Sequence, residues 1–149
     1  MLKKIREMKD QDGFTLIELM VVILIIAILI AIAIPTFLGL RQRAQNRAAQ
    51  SNLRNAMTAA KAFYTDNESY VGFDAAAGLA IEPSLTWNDA AVSVTNAISV
   101  RNAAAGTVLV STRSASGTFY CLAEIAPGTT GEGTGEHATA AACVAAADW

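Results

Sequence analysis

Hydrophobic and polar positions divide the chain into three regimes. From Phe14 to Leu40 there are 27 residues, and Glu18 is the only ionisable one. Leu19 to Ile34 is an unbroken apolar run with no polar face at a 3.6-residue period, so it does not read as a soluble core helix. At about 1.5 Å per residue this helix is roughly 40 Å long, and a bilayer hydrocarbon core is about 30 Å thick. The pattern predicts a membrane-spanning helix. From Arg41 to Thr65 the pattern changes. Leu53, Ala56, Met57, Ala60, Phe63 and Tyr64 recur at three- and four-residue spacings and form one apolar face. The stretch lacks Gly and Pro and is rich in Ala, Gln and Arg, so it favours helix. The simplest reading continues the membrane helix across Pro35 into a stem ending at Asp66-Asn67, with a kink at the proline.

Beyond Tyr70 the period shortens. Residues 71 to 90, with Gly72, Gly78 and Pro83, read as an irregular connection that can hold a short helix. Four short strands are expected at Ala91–Val94, Ile98–Val100, Thr107–Thr112 and Gly117–Leu122, separated by turn signals such as Ala105-Gly106 and Ser116-Gly117. The Gly/Thr-rich residues 127 to 135 read as a flexible loop, and the Ala-rich tail from Ala138 to Trp149 fits either a strand or a short helix. The expected fold class is α+β: a long N-terminal helix, transmembrane in its first part, packed against a small antiparallel sheet.

Charge sharpens the division. A basic leader with Lys3, Lys4, Arg6 and Lys9 precedes the apolar run, and the positive-inside rule keeps it in the cytoplasm. Arg41, Arg43, Arg47, Arg54 and Lys61 lie in one stretch with no acid among them. From Asp66 onward nine acids face only Arg101 and Arg113, which makes the stem basic and the head acidic. The block lacks a local acid, so neighbouring heads are expected to supply partners through Asp66, Glu68, Asp74 and Asp89. Glu132 and Glu136, in or beside the Gly/Thr loop, read as solvated. Cys121 and Cys143 fall in the exported part, where a disulfide is plausible and two buried free thiols are the alternative.

Two simpler readings compete for the apolar run. A secretory signal peptide also begins basic, and Ala31-Ile32-Ala33 matches a loose cleavage pattern, but its apolar region is usually about 7 to 15 residues. A plain single-span anchor explains the hydrophobicity and leaves Gly13 and Glu18 without a role. A buried acid is costly in a span and is retained for a partner or a task. Enzymatic chemistry finds little support. His137 is the one histidine, the cysteine spacing fits no zinc pattern, and no Gly-rich loop ends in Gly-Lys. No catalytic residue, cofactor, metal or specific nucleic-acid partner is expected. Asn67-Glu68-Ser69 matches a glycosylation sequon.

Gly13-Phe14-Thr15-Leu16-Ile17-Glu18, with the basic leader before it and the apolar run behind it, resembles the N-terminus of the type IV prepilin family, type IVa class. The resemblance is specific over residues 1 to about 70 and loose beyond. It implies a pilin fold and cleavage between Gly13 and Phe14 by a prepilin peptidase that also N-methylates Phe14. Residues 1–13 would be the leader, 14–40 the transmembrane and polymerisation helix, 41–66 the amphipathic stem and 67–149 the head. Pro35 sits where the family has its helix-breaking proline, and Cys121 and Cys143 resemble its disulfide-closed C-terminal region. The family commonly has Gly eight residues before the proline, and here that residue is Ala27.

The implied role is a structural subunit of a helical surface filament. Glu18 of an incoming subunit would pair with the Phe14 amine of its neighbour. The implied partners are identical subunits, the peptidase, an assembly platform with its ATPases, and membrane lipid before assembly. The alternative within the family is a pseudopilin of a type II secretion or competence system. A reading from another class is a monomeric membrane-anchored binding module.

Overall fold

The computed structural model describes residues 13–91, 93–125, 128–135, 137 and 139–146, with Asn102 described by its backbone alone. The expected leader therefore lies outside the described residues except for Gly13, as do Glu136, Ala138 and residues 147–149. The elements are α1 (Leu16–Asn67), α2 (Ala75–Ile81), β1 (Trp87–Asn88), β2 (Ile98–Ala104), β3 (Thr107–Arg113), β4 (Phe119–Ile125), β5 (Thr129–Thr134) and α3 (Ala140–Ala145). The chain divides into two compact units, residues 1–40 and 41–149.

In the first unit α1 is helical throughout, and its large apolar side chains are exposed. Pro35 lies inside the helix without ending it. The missing proline N–H leaves the Ala31 carbonyl without its usual donor. One residue further on, the Thr36 hydroxyl donates to the Ile32 carbonyl at 3.2 Å.

The second unit holds residues 41–67 of α1 and a five-stranded sheet ordered β1-β2-β3-β4-β5. The pairs from β2 to β5 are antiparallel, as the alternation predicted for β2 to β4, while β1 pairs with β2 in parallel. That two-residue edge strand corrects the purely antiparallel expectation. Side chains alternate across the sheet. On one face Ile98, Val100, Val108, Val110, Tyr120 and Leu122 pack with Ala49, Leu53, Ala56, Met57 and Ala60 of α1. On the other, Leu109, Cys121 and Ala123 pack with Ala140 and Cys143 of α3.

Two local expectations need correction, and one open alternative is decided. The segment expected as a strand at 91–94 forms none among its described residues. It is tied down by hydroxyls instead: Ser93 Oγ donates to Ser111 Oγ at 2.8 Å, and the Val94 N–H donates to Ser99 Oγ at 3.3 Å. Only Thr95 bridges, in parallel, to Arg113. The Gly/Thr stretch is not a loop over its described length, because Thr129–Thr134 forms β5 along β4. Its glycines serve packing. A Cβ on Gly131 would lie 2.4 Å from Val144 Cα, and one on Gly133 would lie 3.0 Å from the Cys143 carbonyl oxygen. The described part of the tail resolves to helix, with Thr139 as N-cap accepting from the Ala142 N–H at 3.2 Å.

Between α1 and β1 the expected short helix is α2. Asp74 caps it by accepting from the Ala77 N–H at 2.8 Å, and Asp89 accepts from the Ala75 N–H at 2.7 Å. Trp87 stacks edge-on to Phe73, with ring centroids 5.9 Å apart, and lies directly against Gly78.

Candidate functional site

The residues around the expected cleavage point belong to the first unit. Gly13 has open space around it, and a Cβ there would meet nothing within 4 Å. Phe14 is 83% exposed. Thr15 starts the helix: its hydroxyl accepts the Glu18 N–H at 3.2 Å, and its carbonyl accepts the Leu19 N–H at 3.3 Å. Thr15 is therefore the N-cap and Glu18 stands three residues in, where the positive end of the helix dipole favours an acid. The order Thr-x-x-Glu is a capping-box signature legible in the sequence. Glu18 stands out in the sequence by its charge, and the structure adds the capping role of Thr15. Glu18 is exposed and makes no ion pair among the described residues.

Along the rest of this segment the surface is greasy and grooved. One shallow groove is lined by Ile17, Met20, Val21, Ile23, Leu24 and Ala27, and another by Leu29, Ile32, Ala33, Thr36, Phe37 and Leu40. By length and composition α1 is able to cross a membrane. Pro35, expected to serve assembly, stands between Ile34 and Thr36 on this apolar segment and adjoins the second groove.

In the second unit Cys121 and Cys143 form a disulfide, with a Cα–Cα distance of 6.1 Å, joining β4 to α3. Gly133 lies beneath it: a Cβ there would be 3.3 Å from Cys121 Sγ. The basic block is not wholly unpartnered, which corrects the expectation from sequence. Lys61 Nζ lies 3.1 Å from Glu124 Oε2, and Arg54 Nη2 lies 3.6 Å from Glu132 Oε2. Glu124 and Glu132 sit on β4 and β5, so Glu132 is not a solvated loop acid. Lys61 and Arg54 are seven residues apart, two helical turns on one face, which was the available clue. Asp74 and Asp89, proposed partners for neighbouring subunits, are occupied in capping α2.

Glu124 also faces Tyr70, which is almost fully buried. Burial first, and the nearby Glu124 carboxylate second, push the Tyr70 phenol well above its ordinary range. Tyr70 stacks on Tyr64 with centroids 4.7 Å apart. Asn67 of the sequon caps the end of α1, donating its side-chain amide to the Phe63 carbonyl at 2.9 Å. His137 places Nε2 2.9 Å from the Thr134 carbonyl oxygen.

Comparisons with known proteins fall on the N-terminal part. Residues 8–34 match the prokaryotic N-terminal methylation motif. Over 92 residues the chain is 40% identical to the type IV major pilin protein PilA of Myxococcus xanthus, covering 62% of this chain and 42% of that protein. Over 69 residues it is 44% identical to the type IV wide pilus major component PilA4 of Thermus thermophilus, covering 46% of this chain and 53% of the relative. It is also 34% identical over 65 residues to the type II secretion system core protein G of Vibrio cholerae, covering 44% of each. The chain spans about half the length of the curated relatives it matches. No solved structure matches it. Together the motif and the pilin relatives support a type IV pilin.

Proposed function

We propose that this chain is a structural, non-enzymatic subunit of a type IV pilus. It is made as a precursor and held in the cytoplasmic membrane by residues 14–40, with the leader cytoplasmic. Prepilin peptidase cuts between Gly13 and Phe14 and methylates the Phe14 amine. Identical subunits then polymerise into a helical surface filament, driven by a separate assembly platform and its ATPases. The observation that carries this reading is Glu18: a lone acid in an exposed apolar helix, one turn after Phe14 and without a charged partner among the described residues. After cleavage Phe14 has a free amine with a reference pKa of about 7.7–8.0, mostly protonated at neutral pH. Such a cation paired with Glu18 of a neighbouring subunit sets register between helices whose other contacts are unspecific.

The test joins two measurements. Mass spectrometry of the mature protein should find an N-methylated Phe14 terminus. Glu18→Val should leave membrane insertion intact or improved, and should strongly reduce filaments in sheared cell-surface material. Removing one partner of a buried ion pair costs about 3–5 kcal/mol. Abundant normal filaments from Glu18→Val would refute the pairing. The similarity to a type II secretion core protein supports a second reading, a pseudopilin. Electron microscopy separates the two, since a pseudopilin gives no long surface filaments.

A further inference from the structure

Five cations lie on α1 between Arg41 and Lys61, and no acid occurs from Leu19 to Thr65. Arg54 and Lys61 are neutralised within the chain by Glu132 and Glu124. Arg41, Arg43 and Arg47 are exposed and make no ion pair among the described residues. Their place in the chain is specific. Arg41 directly follows Leu40, the end of the exposed apolar run. Leu19 to Leu40 is 22 residues, about 33 Å of helix at roughly 1.5 Å per residue. A bilayer has a hydrocarbon core of about 30 Å and spans about 40–45 Å with its headgroups. With Glu18 at one boundary, Arg41 and Arg43 fall at the depth of the lipid phosphates on the other side. Arg47 lies one turn beyond Arg43 on the same face, within reach of a long side chain.

We propose that Arg41, Arg43 and Arg47 form a binding site for the phosphate headgroups of anionic lipids in the leaflet on the Arg41 side. The proposal rests on the membrane-spanning reading of residues 14–40. Guanidinium suits the role, because its planar fork of donors matches phosphate oxygens two at a time and stays charged at any relevant pH. The in-chain pairs explain why only three of the five cations serve: Arg54 and Lys61 are already matched to the sheet. The site would hold an inserted subunit at one depth and make its extraction into a filament depend on lipid charge and ionic strength.

The experiment uses the full chain inserted into phosphatidylcholine vesicles with and without phosphatidylglycerol. Resistance to alkaline extraction reports insertion. Native mass spectrometry of protein released from the mixed vesicles reports which lipid is retained. Retention should favour phosphatidylglycerol, by on the order of fivefold for each arginine. Arg41→Gln, Arg43→Gln and Arg47→Gln should lower the preference stepwise, while Arg54→Gln and Lys61→Gln should leave it intact. An inserted protein with no lipid preference, or a preference unchanged in the triple variant, overturns the proposal while leaving the span reading standing. Failure to insert in either vesicle overturns both. An alternative occupant is the acidic pair at and just beyond the end of α1, Asp66 and Glu68, in a second copy. If lipid preference is absent and Asp66→Asn with Glu68→Gln lowers filament yield as much as the triple variant does, the arginines serve that second copy and the lipid site is wrong.

Discussion

Replacing Lys61 with Met should destabilise the folded unit more than any other single change to the basic block. Lys61 Nζ lies 3.1 Å from Glu124 Oε2, and the two side chains are 49% and 14% exposed. Without the ammonium, a largely buried carboxylate is left against the Tyr70 phenol. Breaking a fully buried pair costs about 3–5 kcal/mol, and breaking an exposed one about 0–1 kcal/mol. Lys61 is half open to water, so the expected loss is about 1–2 kcal/mol. The reverse change should cost less, because a half-exposed ammonium left by Glu124→Gln can hydrate. Lys61→Met with Glu124→Gln should recover part of the loss, a positive coupling of about 1 kcal/mol in a double-mutant cycle. Arg54 and Glu132 supply the internal control. They are 3.6 Å apart and 57% and 34% exposed, so Arg54→Met should cost about 0–1 kcal/mol. The assay is thermal unfolding of a soluble form beginning at Arg41, where about 1 kcal/mol corresponds to about 4 °C or more for a unit of this size. Equal losses in Lys61→Met and Arg54→Met, or no coupling in the cycle, would refute the view that Glu124 depends on Lys61.

Three further outcomes follow from the same unit. Gly131→Ala places a Cβ 2.4 Å from the Val144 backbone; displacing α3 should cost about 1–3 kcal/mol and expose the C-terminal segment to protease, whereas Thr130→Ala, exposed on the same strand, should change little. Reducing Cys121–Cys143 opens a loop with a sequence separation of 22; the chain-entropy model gives about 3–3.5 kcal/mol, so reductant should lower the melting temperature by about 10 °C or more, and an unchanged value with both thiols demonstrably free would contradict it. Tyr70 keeps its proton in the fold at pH values where the unfolded chain, with a pKa of about 10, has lost it. Its contribution is thus fully present below about pH 10 and is lost as pH rises further; Tyr70→Phe should flatten this alkaline decline, and an identical decline in that variant would show that other groups cause it.

What was legible in the sequence was what local chemistry determines. The apolar run, the single face from Leu53 to Tyr64 and the end of α1 at Asn67 each follow from residues within a few turns of one another. The antiparallel pairs β2 to β4 follow from alternation with Gly at the turns. Most of the missed features depend on residues far apart in the chain. Gly131 and Gly133 look like loop composition, yet they are glycine so that Val144 and Cys143 can approach β5. The segment at 93–95 alternates as a strand would, yet Ser99 and Ser111 from two other strands capture its groups through hydroxyls. Likewise Glu132 could not be matched to Arg54 before β5 was known to be a strand. The capping role of Thr15 is a different kind of miss, since its signal was local and was overshadowed by the charge of Glu18.

Two acids, Glu124 and Glu18, are placed in opposite ways, and the contrast bears on the proposed assembly. Glu124 lies in a packed interior, and the same chain supplies what it needs: Lys61 beside it and a Tyr70 phenol kept neutral. Its ion pair is complete within one chain. Glu18 lies at the start of an exposed apolar segment, in the first turn of a helix whose N-cap is Thr15, and makes no ion pair among the described residues. None of the described residues compensates its charge with an ion pair. While the segment is in the membrane, a position near the boundary lets water and headgroups serve. Once such helices bundle together that solvent is gone, and a carboxylate stranded there costs several kcal/mol. Under the proposed processing, the amine that cleavage would create at Phe14 is the cation whose appearance would coincide with that need. The proposed function thus couples processing to assembly through a single charge: an uncut precursor would insert, but would lack the partner that makes burial of Glu18 tolerable in a filament, so blocking cleavage should leave membrane insertion intact and abolish filaments.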